Sequence, residues 1–147
     1  YYDLYGLETV SLRYFNVFGD RCPTRGQYAP VIGIFDRQKE EGKSLTIVGT
    51  GEQRRDFVHV KDVARANYLA SIMPIKKGGH DYAGEVFNVG SGKNYSIKEI
   101  ADCIDTKQIN IAERDGEMDT TLADITKIGD VIGWAPEIDV LEWISSR

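Results

Sequence analysis

Residues 49–64 read Gly-Thr-Gly-Glu-Gln-Arg-Arg-Asp-Phe-Val-His-Val-Lys-Asp-Val-Ala. A glycine-bounded turn, Gly49-Thr50-Gly51, leads through Arg54-Arg55-Asp56 into the apolar run Phe57–Val60, which has the length and β-branched content of a buried strand. Asp62 then stands where a helix over Val63–Met73 would take its cap, and Pro74 stops that helix. Turn, strand and helix within two dozen residues argue for a mixed α/β chain and against a helical bundle.

The pattern repeats outward from this stretch. On the C-terminal side, Lys76–Gly84 is a polar, glycine-rich loop and Glu85–Gly90 is an apolar strand. Ser96 with Glu99 makes a capping box for a helix to about Asp105. A strand near Ile109–Ile111 and short helices over about Asp124–Ile132 and Asp139–Ile144 finish the chain. On the N-terminal side, Leu45–Val48 is a short strand, and Tyr28–Glu41 is a helix entered near Pro30 and stopped at Gly42. Glu8–Tyr14 alternates as a strand does and runs through Phe15-Asn16-Val17-Phe18-Gly19 into the loop 20–27. The opening Tyr1–Gly6 reads as the last turn of a helix with no initiator Met, so the expectation is a fragment of a longer protein.

The 147 residues are 41% hydrophobic and carry 18 Lys plus Arg against 23 Asp plus Glu, a net charge of −5. No basic block is long enough to track a phosphate backbone, so nucleic acid is not an expected partner. No apolar run reaches the ~20 residues of a membrane span. Cys22 and Cys103 form no CxxC, and His59 and His80 have no ligand spacing, so no metal site is expected. A reducing, cytoplasmic setting is the expectation.

Glycine-rich stretches fail as nucleotide loops. Gly90-Ser91-Gly92-Lys93-Asn94 has Phe87 where a Walker loop needs its first Gly and Asn94 where it needs Ser or Thr. As a dinucleotide fingerprint it has Tyr95 at the third Gly position, so it reads as a turn feeding the Ser96 cap. No GxSxG is present, and no Tyr is followed four residues later by Lys. What remains is an anion-binding pattern: Arg54-Arg55-Asp56 and Arg114-Asp115-Gly116-Glu117 place guanidinium forks and acids in loops and at strand ends, which suits a diphosphate and a ribose diol as well as it suits surface ion pairs.

Taken together and in order, Leu12–Gly19, Gly49–Ala64 and Phe87–Gly92, with the weaker Arg114–Glu117, Ala123-Asp124 and Ile132–Pro136, resemble the extended short-chain dehydrogenases/reductases acting on nucleotide-activated sugars, the UDP-glucose 4-epimerase type above all. The resemblance covers nearly the whole chain. It implies an α/β fold made of the C-terminal sugar-nucleotide-binding portion of such a Rossmann-type enzyme, with residues 1–19 the tail of an otherwise missing Rossmann half.

In that family the implied reaction is hydride removal from C4 of a UDP-sugar by NAD, rotation of the keto sugar and hydride return. Asn16 would bind the diphosphate region, and Arg55, rather than Arg54, would pair with the diphosphate. Arg114 would make a second phosphate contact and Glu117 would accept from ribose hydroxyls. Tyr28, Ala29 and Val31 would approach the base, with Thr46 and Val48 on the strand bordering the uracil. Phe15 and Val17 would lie near the nicotinamide. The Tyr-x-x-x-Lys pair is absent, and Tyr1, Tyr2 and Tyr5 lack its Lys, so the expectation is that this chain alone is inactive. A nucleotide-sugar 4,6-dehydratase or decarboxylase, or a stand-alone non-catalytic binding module, is the alternative. Asp20 and Asp115 stand where relatives often have Pro. A homodimer is a further partner the resemblance implies.

Overall fold

The computed structural model describes residues 1–26, 28–113 and 116–147. In chain order the elements are α1 (Tyr2–Tyr5), β1 (Ser11–Tyr14), β2 (Asn16–Phe18), α2 (Val31–Glu40), β3 (Leu45–Val48), β4 (Arg54–His59) and α3 (Val60–Ile72). After them come β5 (Lys76–Lys77), β6 (His80–Asp81), β7 (Val86–Val89), β8 (Asn94–Ser96), α4 (Ile97–Ile104), β9 (Gln108–Ile111), α5 (Thr126–Ile132) and α6 (Val140–Ser145). None of the helices is long and apolar enough to cross a membrane among the described residues.

β4 organises the rest. Alternation along the pleat sends Phe57 into a core with Phe18, Phe35, Leu45, Ile100 and Ile144, and Val58 into a second core with Val63, Phe87, Ile128 and Trp134. β4 pairs in parallel with β2, Asn16 opposite Phe57, and antiparallel with β8, Arg55 opposite Tyr95. β1 and β7 form a parallel pair, as do β3 and β9.

The single run expected over residues 8–19 is corrected: it is two strands in two sheets. The N–H of Phe15 still donates to Val89 O at 3.0 Å, and from Asn16 onward the chain pairs with β4 instead of β7. A strand-like run that continues from Tyr14 through Phe15 without a Gly or Pro carries no mark of such a change of partner. Lys76–Gly84, expected as a loop, contains the antiparallel pair β5 and β6, Lys77 opposite His80, closed by Gly78-Gly79.

The cap of α3 is also corrected. β4 runs directly into the helix, so His59 is the N-cap, its Nδ1 accepting from Lys61 N at 3.2 Å. Asp62, one turn inside and only 2% exposed, binds a segment far along the chain. Its Oδ2 accepts from Glu137 N and Ile138 N, both at 3.1 Å, while its backbone oxygen accepts from Trp134 Nε1 at 3.0 Å.

Because Nδ1 of His59 is an acceptor, the neutral ring carries its proton on Nε2, and that buried atom has no partner among the described residues. The ring packs against Phe18 and Trp143 at centroid distances of 5.1 and 5.8 Å. Burial holds the imidazole below its ordinary value of 6.5 despite the nearby carboxylate of Asp62. The unfolded chain therefore binds a proton that the folded one refuses, and the stability present above pH 6.5 is lost as the pH falls below it. Urea unfolding at about pH 7.5 and about pH 5 should show this loss, and H59N, which keeps a capping acceptor, should lessen it. An equal loss in wild type and H59N would assign the pH dependence to other groups.

Candidate functional site

The start of α2, β3, and the adjoining ends of β2 and β4 enclose a cleft of about 390 Å³. Its apolar wall is Tyr28, Ala29, Val31, Ile34 and Phe35. The α2 helix is set there by Gly33, where a Cβ would come within 2.4 Å of Pro23 O, so only glycine lets the preceding loop lie against the helix. β3 buries Leu45 and Ile47 in the core, and the alternation turns Thr46 and Val48 to the cleft. The polar wall is Asn16 with Val17 from β2, Arg55 from β4, Gln53, and Glu117 from the segment after β9.

Successive side chains of β4 part company, and their fates differ. Arg54 is held by Asn94, Nε to Oδ1 at 2.9 Å and Nη2 to the backbone oxygen at 2.8 Å, and pairs with Glu99 at 3.1 Å. Arg55 turns to the cleft with its side chain only 14% exposed. Its Nη1 donates to Arg54 O at 2.9 Å and its Nη2 meets Glu117 Oε1 at 3.3 Å, so the fork is sheltered and pre-aimed.

Asp56, read in the sequence as part of an anion-binding pattern, is corrected: it is fully buried and does not line the cleft. Its Oδ1 accepts from Ser91 N at 2.6 Å and Ser91 Oγ at 2.9 Å, and its Oδ2 from Gly92 N and Ala123 N, both at 3.0 Å. A Cβ on Gly90 would lie 2.9 Å from Asp56 Oδ2 and 2.4 Å from Ala123 Cβ, which is why that loop passes the strand at a glycine. Through its backbone oxygen Asp56 also anchors Asn16, whose Nδ2 donates to it at 2.8 Å.

Asn16, Val17, Tyr28, Ala29, Val31, Thr46, Val48, Arg55 and Glu117 thus border one cleft. Phe15 does not; it sits at the step between β1 and β2. Arg114 lies outside the described residues. Sequence reasoning passed over Gln53, whose Nε2 donates to Val48 O at 3.1 Å, and Gln38, whose amide is hydrogen-bonded to Thr46. A signal for Gln38 exists in the sequence: it continues the three-residue spacing of the buried Ile32 and Phe35 on α2, so a polar amide falls on an apolar helix face.

Residues 1–90 match the model of the NAD dependent epimerase/dehydratase family. Among solved structures, the UDP-glucose 4-epimerase of Thermotoga maritima with UDP-glucose is 32% identical with a TM-score of 0.84, the match covering 98% of this chain and 46% of that one. The UDP-N-acetylglucosamine 4-epimerase of Methanobrevibacter ruminantium in complex with UDP-N-acetylmuramic acid is 35% identical with a TM-score of 0.84, again over 98% of this chain and 46% of that one. The UDP-glucuronate 4-epimerase of Thermodesulfobacterium geofontis is 34% identical over 97% of this chain and 42% of its own length. The chain spans about half the length of the relatives it matches. It belongs to the NAD dependent epimerase/dehydratase family.

Proposed function

We propose that residues 1–147 form the sugar-nucleotide seat of an NAD-dependent 4-epimerase acting on a UDP-sugar, residues 1–19 being the end of its Rossmann part. The observation that carries this reading is the convergence of side chains from Asn16 to Glu117, far apart in sequence, on one cleft with an apolar wall and a sheltered guanidinium. That division suits a pyrimidine at one end and a diphosphate at the other.

In this reading Arg55 binds the diphosphate, with Asn16 held rigid beside it by Asp56. Glu117, already within reach of Arg55, accepts from the ribose hydroxyls, and Arg114 adds a second phosphate contact. Tyr28, Ala29 and Val31 cover the base against Thr46 and Val48. By fixing base, ribose and diphosphate, these residues orient the sugar for chemistry performed at its C4. NAD supplies the hydride exchange when bound. Phe15 and Val17 fit only as a border to its nicotinamide end, because residues 1–147 hold no Gly-x-Gly-x-x-Gly turn to cradle its pyrophosphate.

The test is thermal unfolding of the protein in the full form its gene encodes, with UDP, dTDP or GDP present. UDP at a hundredfold excess over Kd should stabilise it by about 2.7 kcal/mol, with GDP giving little. That same form should convert a UDP-sugar to its C4 epimer. No response to UDP overturns the reading, and an equal response to all three nucleotides removes the base pocket from it.

A further inference from the structure

Glu117 reaches the cleft from a segment outside the named strands, residues 117–121, which meets β4 through one parallel bridge, Arg54 opposite Thr120. Arg54 N donates to Asp119 O at 2.8 Å, and Thr121 N donates to Arg54 O at 3.0 Å. Arg54 O also takes Arg55 Nη1 at 2.9 Å. The segment that carries Glu117 and the guanidinium that pairs with it therefore share one anchor.

A side chain from the far face of the sheet completes that anchor. The backbone of Arg54 serves the segment 117–121, so β8 pairs along the opposite edge of β4, with Asn94 across from Asp56. Alternation puts the side chains of Arg54, Asp56 and Asn94 on one face of β4 and that of Arg55 on the other. From the far face Asn94 spans the strand: its Oδ1 accepts from Arg54 Nε at 2.9 Å, and its Nδ2 donates to Thr121 O at 3.3 Å. The two ends of the amide cannot be exchanged, because a guanidinium N–H only donates and a backbone carbonyl only accepts.

We propose that Asn94 is a positioning residue of the nucleotide seat: by holding Thr121 it keeps Glu117 where the ribose hydroxyls meet it, without itself bordering the cleft. The other polar ties of the segment among the described residues are the Arg54 bridge, the Arg55 pair and a long bond, 3.4 Å, from Asp56 N to Thr121 Oγ1. Asn94 thus supplies one of few restraints on where the Glu117 carboxylate stands, and a hydrogen bond weakens steeply as its partners move apart or turn. This inference rests on the proposed seat and on the place of Glu117 in it, and it names what sets that place.

Calorimetric binding of UDP and of 2′,3′-dideoxy-UDP, which lacks both ribose hydroxyls, tests it on the full gene-encoded protein, with melting curves to establish that each variant folds. Wild type should favour UDP by about tenfold or more, the worth of hydrogen bonds to a carboxylate. N94D is the selective variant. Its carboxylate still accepts from Arg54 but turns a second acceptor toward Thr121 O, so the ratio should fall to about threefold or less. General loosening of the fold would instead weaken both ligands and leave the ratio as it was. In E117A the ratio should be near one, and adding N94D should change it no further, as for two residues acting through one contact. An N94D protein that keeps the wild-type ratio overturns the proposal while leaving the nucleotide seat intact. Wild type binding both ligands alike, or E117A still preferring UDP, removes Glu117 from the ribose and this inference with it. Failure of wild type to bind UDP overturns the seat itself.

Discussion

The D56A protein is expected to lose roughly 4 kcal/mol of stability or more, a large part of what holds a domain of this size together. Alanine removes the acceptor for Ser91 N, Ser91 Oγ, Gly92 N and Ala123 N in one step. Each donor left buried without a partner costs about 1–3 kcal/mol, and the Ala123 N–H is fully enclosed. Asparagine is nearly the same shape but turns an NH₂ toward donors, so D56N should rescue only part of the loss. Denaturant unfolding measures both. A D56A protein within about 1 kcal/mol of wild type would mean that water replaces the carboxylate and that the contacts described for Asp56 contribute little. The same substitution loosens the strand backbone that anchors Asn16, so any folded D56A should also bind UDP less well than wild type.

The second large effect separates neighbours. R55A should weaken UDP binding about 100-fold or more, because charge-assisted bonds from a sheltered fork contribute about 1.5–3 kcal/mol each and each 1.4 kcal/mol is tenfold. Losing the guanidinium also leaves Glu117 facing the diphosphate uncompensated, which adds repulsion. R55K keeps the charge without the planar fork and should recover only part of the affinity. R54A should change affinity by less than about threefold while lowering the melting temperature, since Arg54 is engaged with Asn94 and Glu99 rather than the cleft. Titration calorimetry on both variants decides it, and equal losses of affinity would overturn the separate roles given to Arg54 and Arg55.

Local structure around the site was largely legible in the sequence. Pro30 and Gly42 bracket α2, and Ser96 with Glu99 forms the capping box of α4, their reciprocal bonds being 3.0 and 2.6 Å. The short strand Leu45–Val48 appears with the expected bounds. These features depend on residues a few positions apart, where propensity and capping chemistry act directly. The resemblance carried the assignment of Arg55 over Arg54. In the structure Arg55 borders the cleft and Arg54 does not, for a reason the residue types do not contain: strand alternation sends identical guanidinium groups to opposite sides of β4.

Partner choice across the chain was not legible. Asp56 and Asp62 look in sequence like a surface acid and a helix cap, yet one is an acceptor for the 91–92 loop and Ala123, and the other for Glu137 and Ile138. Phe15 carries no sign that the chain changes sheets there, and Gln38 none that its amide is spent on Thr46. By itself, then, the sequence determined most of the order of turns, strands and helices, the family, and the residue types of an anion-binding pattern, because periodicity, caps and motifs are written in neighbouring positions. Only the tertiary structure decided which polar groups face the cleft and which are consumed in holding it, because every buried donor and acceptor has to find its partner in space.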